Sequence, residues 1–332
     1  MGSVTAQTTS AAPTAELDPE TYRRELTAYC YRMLGSGFEA EDAVQETMVR
    51  AWRNMDSFEG RSSLRSWLYR IATNVCLDMH KAPQRRARPM DLGPSQSARA
   101  PIAAPTTEDV WVGPIADDKV LPTDGDPALL AEARDTIRLA FVAALQHLPP
   151  KQRAVLILRE VLRWHADEVA ALLETSVASV NSALQRARAT LAEADLDAST
   201  TASDVADEHR ELLASYVDAF ERYDISSIVK LVHTEVVFNM PPYPMWLQGA
   251  DEVASWLGGP GIECAGSRLL PTTANGNPAF GSYRIDPEGG HTPFALIVLE
   301  IADGRITGWH NFLDPELFPA FGLPRHLDPE PA

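Results

Sequence analysis

Sulfur, basic charge and long apolar runs are what this 332-residue chain has least of. Its three cysteines (Cys30, Cys76 and Cys264) are odd in number, far apart and without metal-ligand spacing. That excludes a disulfide framework and points to a reducing compartment. Strongly apolar runs such as Phe294 to Leu299 are far too short to span a bilayer. Residues 1–19 are small and polar, with no basic start or apolar stretch, so a disordered tail is expected there and not a signal peptide. The expectation is a cytoplasmic protein with no membrane contact and no metal or cofactor.

Basic residues are outnumbered, 29 Lys and Arg against 46 Asp and Glu, for a net charge of −17. Taken whole, that argues against nucleic-acid binding. The distribution reverses the argument. Residues 16–81 hold 11 acidic and 9 basic residues, residues 128–194 hold 7 and 8, and residues 195–332 hold 21 and 7. The acid sits in the last third, and the first two segments are nearly neutral. A hydrophobic content of 45% is that of a folded globular chain, and the length allows two or three cores.

Periodicity divides the chain. Residues 20–81 read as helices: Leu26, Tyr29, Cys30, Met33 and Leu34 form one stripe. Ala43, Val44, Thr47, Met48, Ala51 and Trp52 form a second, and Leu64, Leu68, Ile71 and Val75 a third. Residues 82–127 carry eight prolines and no sustained period, which predicts a linker, with one unusually apolar island at Val110–Ile115. Helical periodicity resumes over 128–194. After an acidic Ser/Thr/Ala-rich hinge (195–206), residues 207–332 change character. Helices are expected at 208–223, 225–233 and 250–257, with strands at 235–239, 267–273, 278–285, 292–301 and 304–312. Turns at Asn275-Gly276, Glu288-Gly289-Gly290 and Asp303-Gly304 punctuate the strands. The fold class is therefore multidomain: two all-α modules followed by an α+β domain.

The first module combines an acidic helix face (Glu39, Glu41, Asp42, Glu46) with a polar loop, Phe58–Ser63, that opens a helix bearing Arg65, Trp67, Tyr69, Arg70 and Asn74. Single-stranded DNA binding calls for this mixture of stacking faces, cations and polar groups able to read an extruded base. A packed helix with surface arginines is the plainer alternative. The second module reads as a helix-turn-helix. After the Pro149-Pro150 break, Ala166–Leu173 and Val177–Leu191 are separated by Glu174-Thr175-Ser176. Val169, Ala170, Leu173, Val177, Val180, Leu184 and Ala187 form the expected buried stripe. Ser176, Ser179, Asn181, Ser182, Gln185 and Arg186 lie away from it, where Asn and Gln can read adenine, Arg guanine, and Ser phosphates. The turn lacks its common glycine.

These segments resemble extracytoplasmic-function sigma factors, the small bacterial promoter-recognition subunits of RNA polymerase. The resemblance lies in AED-x-VQE at 40–46, in F-x-G-x-SS-L-x-SWLYRIATN at 58–74, and in LPPKQRAVLILRE with SVNSALQRARATL in the second module. It implies that Glu41, Asp42, Gln45, Glu46 and Arg50 dock on core RNA polymerase. It implies that Phe58, Arg61, Ser62, Ser63, Trp67, Arg70 and Asn74 engage the −10 promoter element. It also implies that Ser176, Ser179, Asn181, Ser182, Gln185 and Arg186 face the −35 element. Asn181 and Ala183 stand where many members carry Lys and Arg, so the −35 sequence preference does not carry over.

Promoter elements about 17 base pairs apart are separated by ~58 Å at ~3.4 Å rise. A 46-residue linker has an r.m.s. coil span of about 40 Å and an extended reach of roughly 150 Å. It is expected to span the elements without measuring the distance. The last third resembles the cone-shaped SnoaL-like/NTF2-like fold, as found in SigG-like and SigJ-like actinobacterial sigma factors. In that fold Phe238, Tyr243, Trp246, Trp256 and Trp309 could line an apolar pocket or fill a core. His233, Tyr216, Asp224 and His310 share no spacing motif, and no catalysis is expected. The reading is a promoter-directing sigma factor modulated by its acidic last domain, with core polymerase and promoter DNA as partners and an unknown small ligand or an anti-sigma factor as further candidates. The alternatives are a DNA-binding repressor or activator that never joins polymerase, and a ligand-sensing or catalytic SnoaL protein with a DNA-binding front half.

Overall fold

The computed structural model describes residues 18–58, 60, 62–79, 86–193 and 209–329. The hinge at 195–206 and nearly all of the expected tail lie outside them.

Helices α1 (Arg23–Leu34), α2 (Gly37–Arg53) and α3 (Leu64–Met79) build the first module. Gly35 ends α1 in the left-handed region at φ +72°, and its amide donates to Tyr31 O. The next residue, Ser36, starts α2 by accepting from the Glu39 amide. A helix stop and a helix start in consecutive residues turn the chain back on itself, so the stripes led by Leu26, Ala43 and Leu68 meet. Trp52 departs from its expected stripe. It is 56% exposed, because it lies in the last turn of α2, beyond the packed Ala51.

The second module comprises helices Pro127–Asp135, Leu139–Gln146 and Pro150–Leu156, the last running into a π turn at Ile157–Val161. The helix-turn-helix pair follows at Ala166–Leu172 and Val177–Glu193. Glu174 takes the left-handed conformation, φ +52°, that glycine usually supplies. The turn is made, with a strained residue at its centre. Val177 is 42% exposed, not part of the buried stripe, because it starts its helix before the first buried position, Val180.

The last domain has helices Arg210–Glu221, Ile225–Leu231 and Ala250–Leu257 on a six-stranded mixed sheet. Its strands are β1 (Val232–Asn239), β2 (Trp246–Gln248), β3 (Arg268–Ala274), β4 (Asn277–Ile285), β5 (His291–Ala302) and β6 (Arg305–Phe312), in the order β2-β1-β6-β5-β4-β3. Only β1 and β6 pair in parallel. Asn275-Gly276 and Asp303-Gly304 have positive φ at both residues, as tight hairpin turns between twisted strands require.

The two faces of this sheet have different owners. Ile297, Leu299 and Trp309 point inward to the domain's helices, forming a core with Tyr216, Phe220, Phe238 and Trp256. Leu296, Val298 and Phe312 point outward, with Ala279 and Tyr283 of β4 beside them. They join a second core that runs without a break through the linker residues Val112, Ile115 and Val120 into both helical modules. Burial on both faces explains why β5 carries an unbroken apolar run from Phe294 to Leu299.

Of the five aromatic rings read as lining a pocket or filling a core, three fill the inner core. Phe238, Trp256 and Trp309 are at most 5% exposed. Trp309 lies 5.4 Å from the ring centroids of both Tyr216 and Phe238. Tyr243 and Trp246 are half-buried at the rim, and the Trp246 indole donates to Gly93 O at 2.8 Å. The expected loose linker is also corrected over its described part. Ala87 and Trp111 form a parallel bridge, and Ala116 bridges Ala274. Gln96 N donates to Trp246 O, and Ala98 is buried in the inner core with its amide on Glu252 Oε2 at 2.6 Å. The apolar island at 110–115 is the reason: its side chains gain more from burial between modules than the segment gains from chain freedom.

Candidate nucleic-acid interface

Two helices carry the candidate DNA-facing residues, and each begins on a serine. Ser63 Oγ accepts from Ser66 N at 3.1 Å, at the start of α3. Ser176 Oγ accepts from Ser179 N at 3.1 Å, at the start of the recognition helix Val177–Glu193. Both serines thus cap a helix, a local role that their sequence context did not announce. A helix N-terminus favours phosphate, so the caps also orient two positive helix ends at the surface.

Ser62, just before α3, and Asn74 on it are exposed, while Trp67 and Arg70 are partly buried. Phe58 stacks on Trp67 at 5.1 Å between centroids. Arg61 lies outside the described residues. Tyr69 does not belong to this surface. It is fully buried, 5.1 Å from both Tyr29 and Trp164, and burial pushes its hydroxyl pKa up. Arg65 is likewise engaged, paired with Glu25 and held over the Tyr69 and Trp164 rings.

All six candidates on the helix-turn-helix are exposed: Ser176, Ser179, Asn181, Ser182, Gln185 and Arg186. Their neighbours divide them. Ser179 and Arg186 line a cleft of about 390 Å³ together with Asn74 of α3. Arg70 crosses the same junction, donating to Ala171 O at 3.4 Å and lying 3.9 Å from the Glu174 carboxylate. The two candidate DNA faces therefore meet.

The acidic face of α2 is partly engaged as well. Asp42 and Gln45 are exposed. Glu46 pairs with Arg50 one turn on, at 2.6 Å, and Arg50 lies 3.7 Å from Asp78. The linker reaches the other acids: Lys119 to Glu41 at 3.3 Å and Arg86 to Glu39 at 2.6 Å.

One buried side chain ties these parts together. Asn275, in the β3–β4 turn, is fully buried. Its Nδ2 donates to Tyr31 Oη of α1 at 2.6 Å and to Ile137 O of the second module at 2.7 Å. Its Oδ1 accepts from Ile115 N of the linker, and its own amide donates back to Ile115 O. Tyr31 in turn donates to Gly113 O. Next to it, Gly276 N donates to Asp117 Oδ1 at 2.8 Å, where burial raises the Asp117 carboxyl to about 6. Across the sheet, Glu300 lies 3.4 Å from His310 Nε2. Burial opposes its charge, but His310, Arg88 and Arg138 together hold its pKa at about 2. Sequence reasoning named His310 and the Asn275-Gly276 turn but neither set of partners. A buried asparagine in an Asn-Gly turn reads as an ordinary hairpin until its neighbours are known.

Among the described residues there is no cluster of three or more His, Cys, Asp or Glu suited to a metal, and no helix is long and apolar enough to cross a membrane.

An acidic helix beside a serine-capped aromatic-basic helix, joined to a helix-turn-helix and a SnoaL-like cone, defines a promoter-recognition subunit with a fused α+β domain. Residues 20–86 match Sigma-70 region 2, 138–191 match Sigma-70 region 4, and 213–309 match the SnoaL-like domain. The chain is 45% identical over 311 residues to the ECF RNA polymerase sigma factor SigG of Mycobacterium tuberculosis, covering 93% of this chain and 83% of that one. It is 32% identical over 173 residues to SigW of Bacillus subtilis, covering 52% of this chain. In fold it resembles the crystal structure of Mycobacterium tuberculosis SigJ, with a TM-score of 0.56 at 20% identity over 92% of this chain and 98% of that one. The chain belongs to the ECF RNA polymerase sigma factors, and its function is to direct polymerase to promoters.

Proposed function

We propose that this sigma factor rests in a closed form, with its two DNA-facing helices turned onto each other and its SnoaL-like domain as the clasp. One observation carries the reading: Arg70 of α3 is seated on Ala171 O beside Glu174 of the helix-turn-helix. Helices in side-chain contact cannot occupy promoter elements separated by ~58 Å at ~3.4 Å per base pair. Opening must break the Arg70 contacts and the Asn275 network, whose donors and acceptors span α1, the linker and the start of the second module.

In the open form, Glu41, Asp42, Gln45, Glu46 and Arg50 bind core RNA polymerase in the cytoplasm. Phe58, Arg61, Ser62, Ser63, Trp67, Arg70 and Asn74 hold the melted −10 strand, with Phe58 and Trp67 as the stacking pair. Ser176, Ser179, Asn181, Ser182, Gln185 and Arg186 meet the −35 duplex. The −14 charge of residues 195–332 keeps promoter DNA away until the clasp releases.

In-vitro transcription with core polymerase tests this. Deleting the last domain would bare the outer sheet face that packs on the helical modules, so a point variant is cleaner. Asn275→Ala should raise promoter-dependent transcription, and Glu46→Lys should abolish co-purification with core polymerase. Unchanged transcription from Asn275→Ala would refute the clasp, and a stable polymerase complex with Glu46→Lys would refute the docking face.

A further inference from the structure

Three modules converge on a cleft of about 380 Å³ that none of the proposed roles uses. The first turn of α2 contributes Phe38, the linker contributes Trp111 and Pro114, and the last domain contributes Pro242, Phe312 and Leu317. The volume and lining suit a small, flat, apolar molecule.

The polar groups at the cleft narrow the class. The Trp111 side chain is buried, 4% exposed, and its indole N–H has no acceptor among the described residues. The amides of Gly37 and Phe38, in the first turn of the 17-residue helix α2, likewise have no acceptor among the described residues, since Ser36 takes only the amides of Glu39 and Ala40. An unpartnered buried donor beside a helix start calls for an acceptor oxygen. A carboxylate or phosphate would meet Asp109 and Asp314, while the one cation, Arg86, is already bonded to Glu39 and Trp111 O. The acids select against anions, and the donors select for a carbonyl.

We infer that this cleft binds a neutral, largely apolar carbonyl compound, and that binding locks the sigma factor closed. The inference rests on the closed resting form proposed above, because the cleft is assembled only when region 2, the linker and the SnoaL-like domain are together. A ligand that binds one conformation alone shifts the equilibrium toward it in proportion to its occupancy.

The test uses the full chain and the neutral naphthyl ketone prodan, whose emission shifts to the blue in apolar sites. Labels at Met79→Cys and Ala189→Cys, in a Cys264→Ser background, report the α3-to-recognition-helix distance by energy transfer. Saturable, blue-shifted binding to the free chain is expected, and, once core polymerase is added to draw the open form, increased energy transfer and reduced transcription. Trp111→Phe, which keeps an aromatic ring and removes the N–H, should weaken binding about fivefold. Phe38→Ala, at a 43% exposed position that folding does not need, should weaken it at least as much, and Ile285→Ala should not change it. Equal affinity of the wild type and both cleft variants overturns the site. Cleft-dependent binding that leaves the energy transfer unchanged overturns the locking. If energy transfer already reports separated helices in the unliganded wild type, the closed form itself fails. A closed chain that binds no prodan through these residues sinks the ligand inference alone.

Discussion

Helix α3 and the recognition helix are built alike and placed differently. Both start on a serine cap and both present polar and basic residues beyond it. Yet α3 lies with Arg70 anchored on the opposite module and Asn74 in the shared cleft, whereas Asn181, Ser182 and Gln185 of the recognition helix are exposed and take no part in that cleft. In the closed form proposed above, restraint would fall unequally on the two candidate DNA surfaces, holding back melting and strand capture more than duplex recognition.

That asymmetry can be broken most strongly at Asn275. Replacing it with alanine strands Ile115 N and Ile137 O, leaves Tyr31 Oη with Gly113 O alone, and should cost the closed form about 2–4 kcal/mol. Binding of a −10 single strand should then rise about tenfold or more, with −35 duplex binding changing far less. Fluorescence anisotropy with the two DNAs checks it, and an equal rise for both would erase the distinction between the helices. Next in size, Arg186→Ala should lower −35 duplex binding by about 1–3 kcal/mol without affecting strand capture. Arg70→Ala should impair open-complex formation, even though it loosens the closed form. Permanganate footprinting against duplex binding separates the two effects.

A smaller effect is expected at Asp117. Its carboxyl is raised by burial from 3.8 to about 6, so the folded protein holds a proton that the unfolded chain has lost. Stability from this group is therefore full below about pH 4 and declines as pH rises toward 6. Asp117→Asn retains an acceptor for Gly276 N and should stabilise the protein by about 1–2 kcal/mol at neutral pH, with no gain near pH 4. Denaturant titration at the two pH values reads this directly. The smallest change is Glu174→Gly. Relief of the left-handed strain should add about 0.5–1 kcal/mol, and the lost Arg70 pair, exposed and 3.9 Å long, should subtract little. Thermal unfolding should show a small net gain, and a net loss would mean that the pair outweighs the strain.

Much of the fold was legible because it is locally specified. Pro150 and the Asn275-Gly276 and Asp303-Gly304 turns act within a few residues of themselves, as do Gly35 and Ser36, and the helix and strand expectations fall within a few residues of the observed elements. The short strand Trp246–Gln248 and the 3-10 turn Pro315–Phe321 escaped notice, since neither is long enough to show a period. Trp52 and Val177 were misplaced for a related reason. Helical periodicity gives a face, but only the neighbouring elements decide whether a residue at the end of that face is covered. The inner-face aromatics posed the opposite difficulty, because five rings that fill a cone and five that line one have the same spacing.

The sequence by itself determined the family, the order of the modules and the place of the acidic charge. Each of these is written in contiguous residues and stabilised over short range. The tertiary structure alone decided what the linker does and which surfaces are free. Those outcomes depend on groups such as Tyr31, Ile115, Ile137 and Asn275, separated by up to 244 positions and brought within hydrogen-bond distance only by folding. Burying a polar side chain is tolerable only where every partner is present at once. A site of that kind carries no local signature, and it is where three separately legible modules become one molecule.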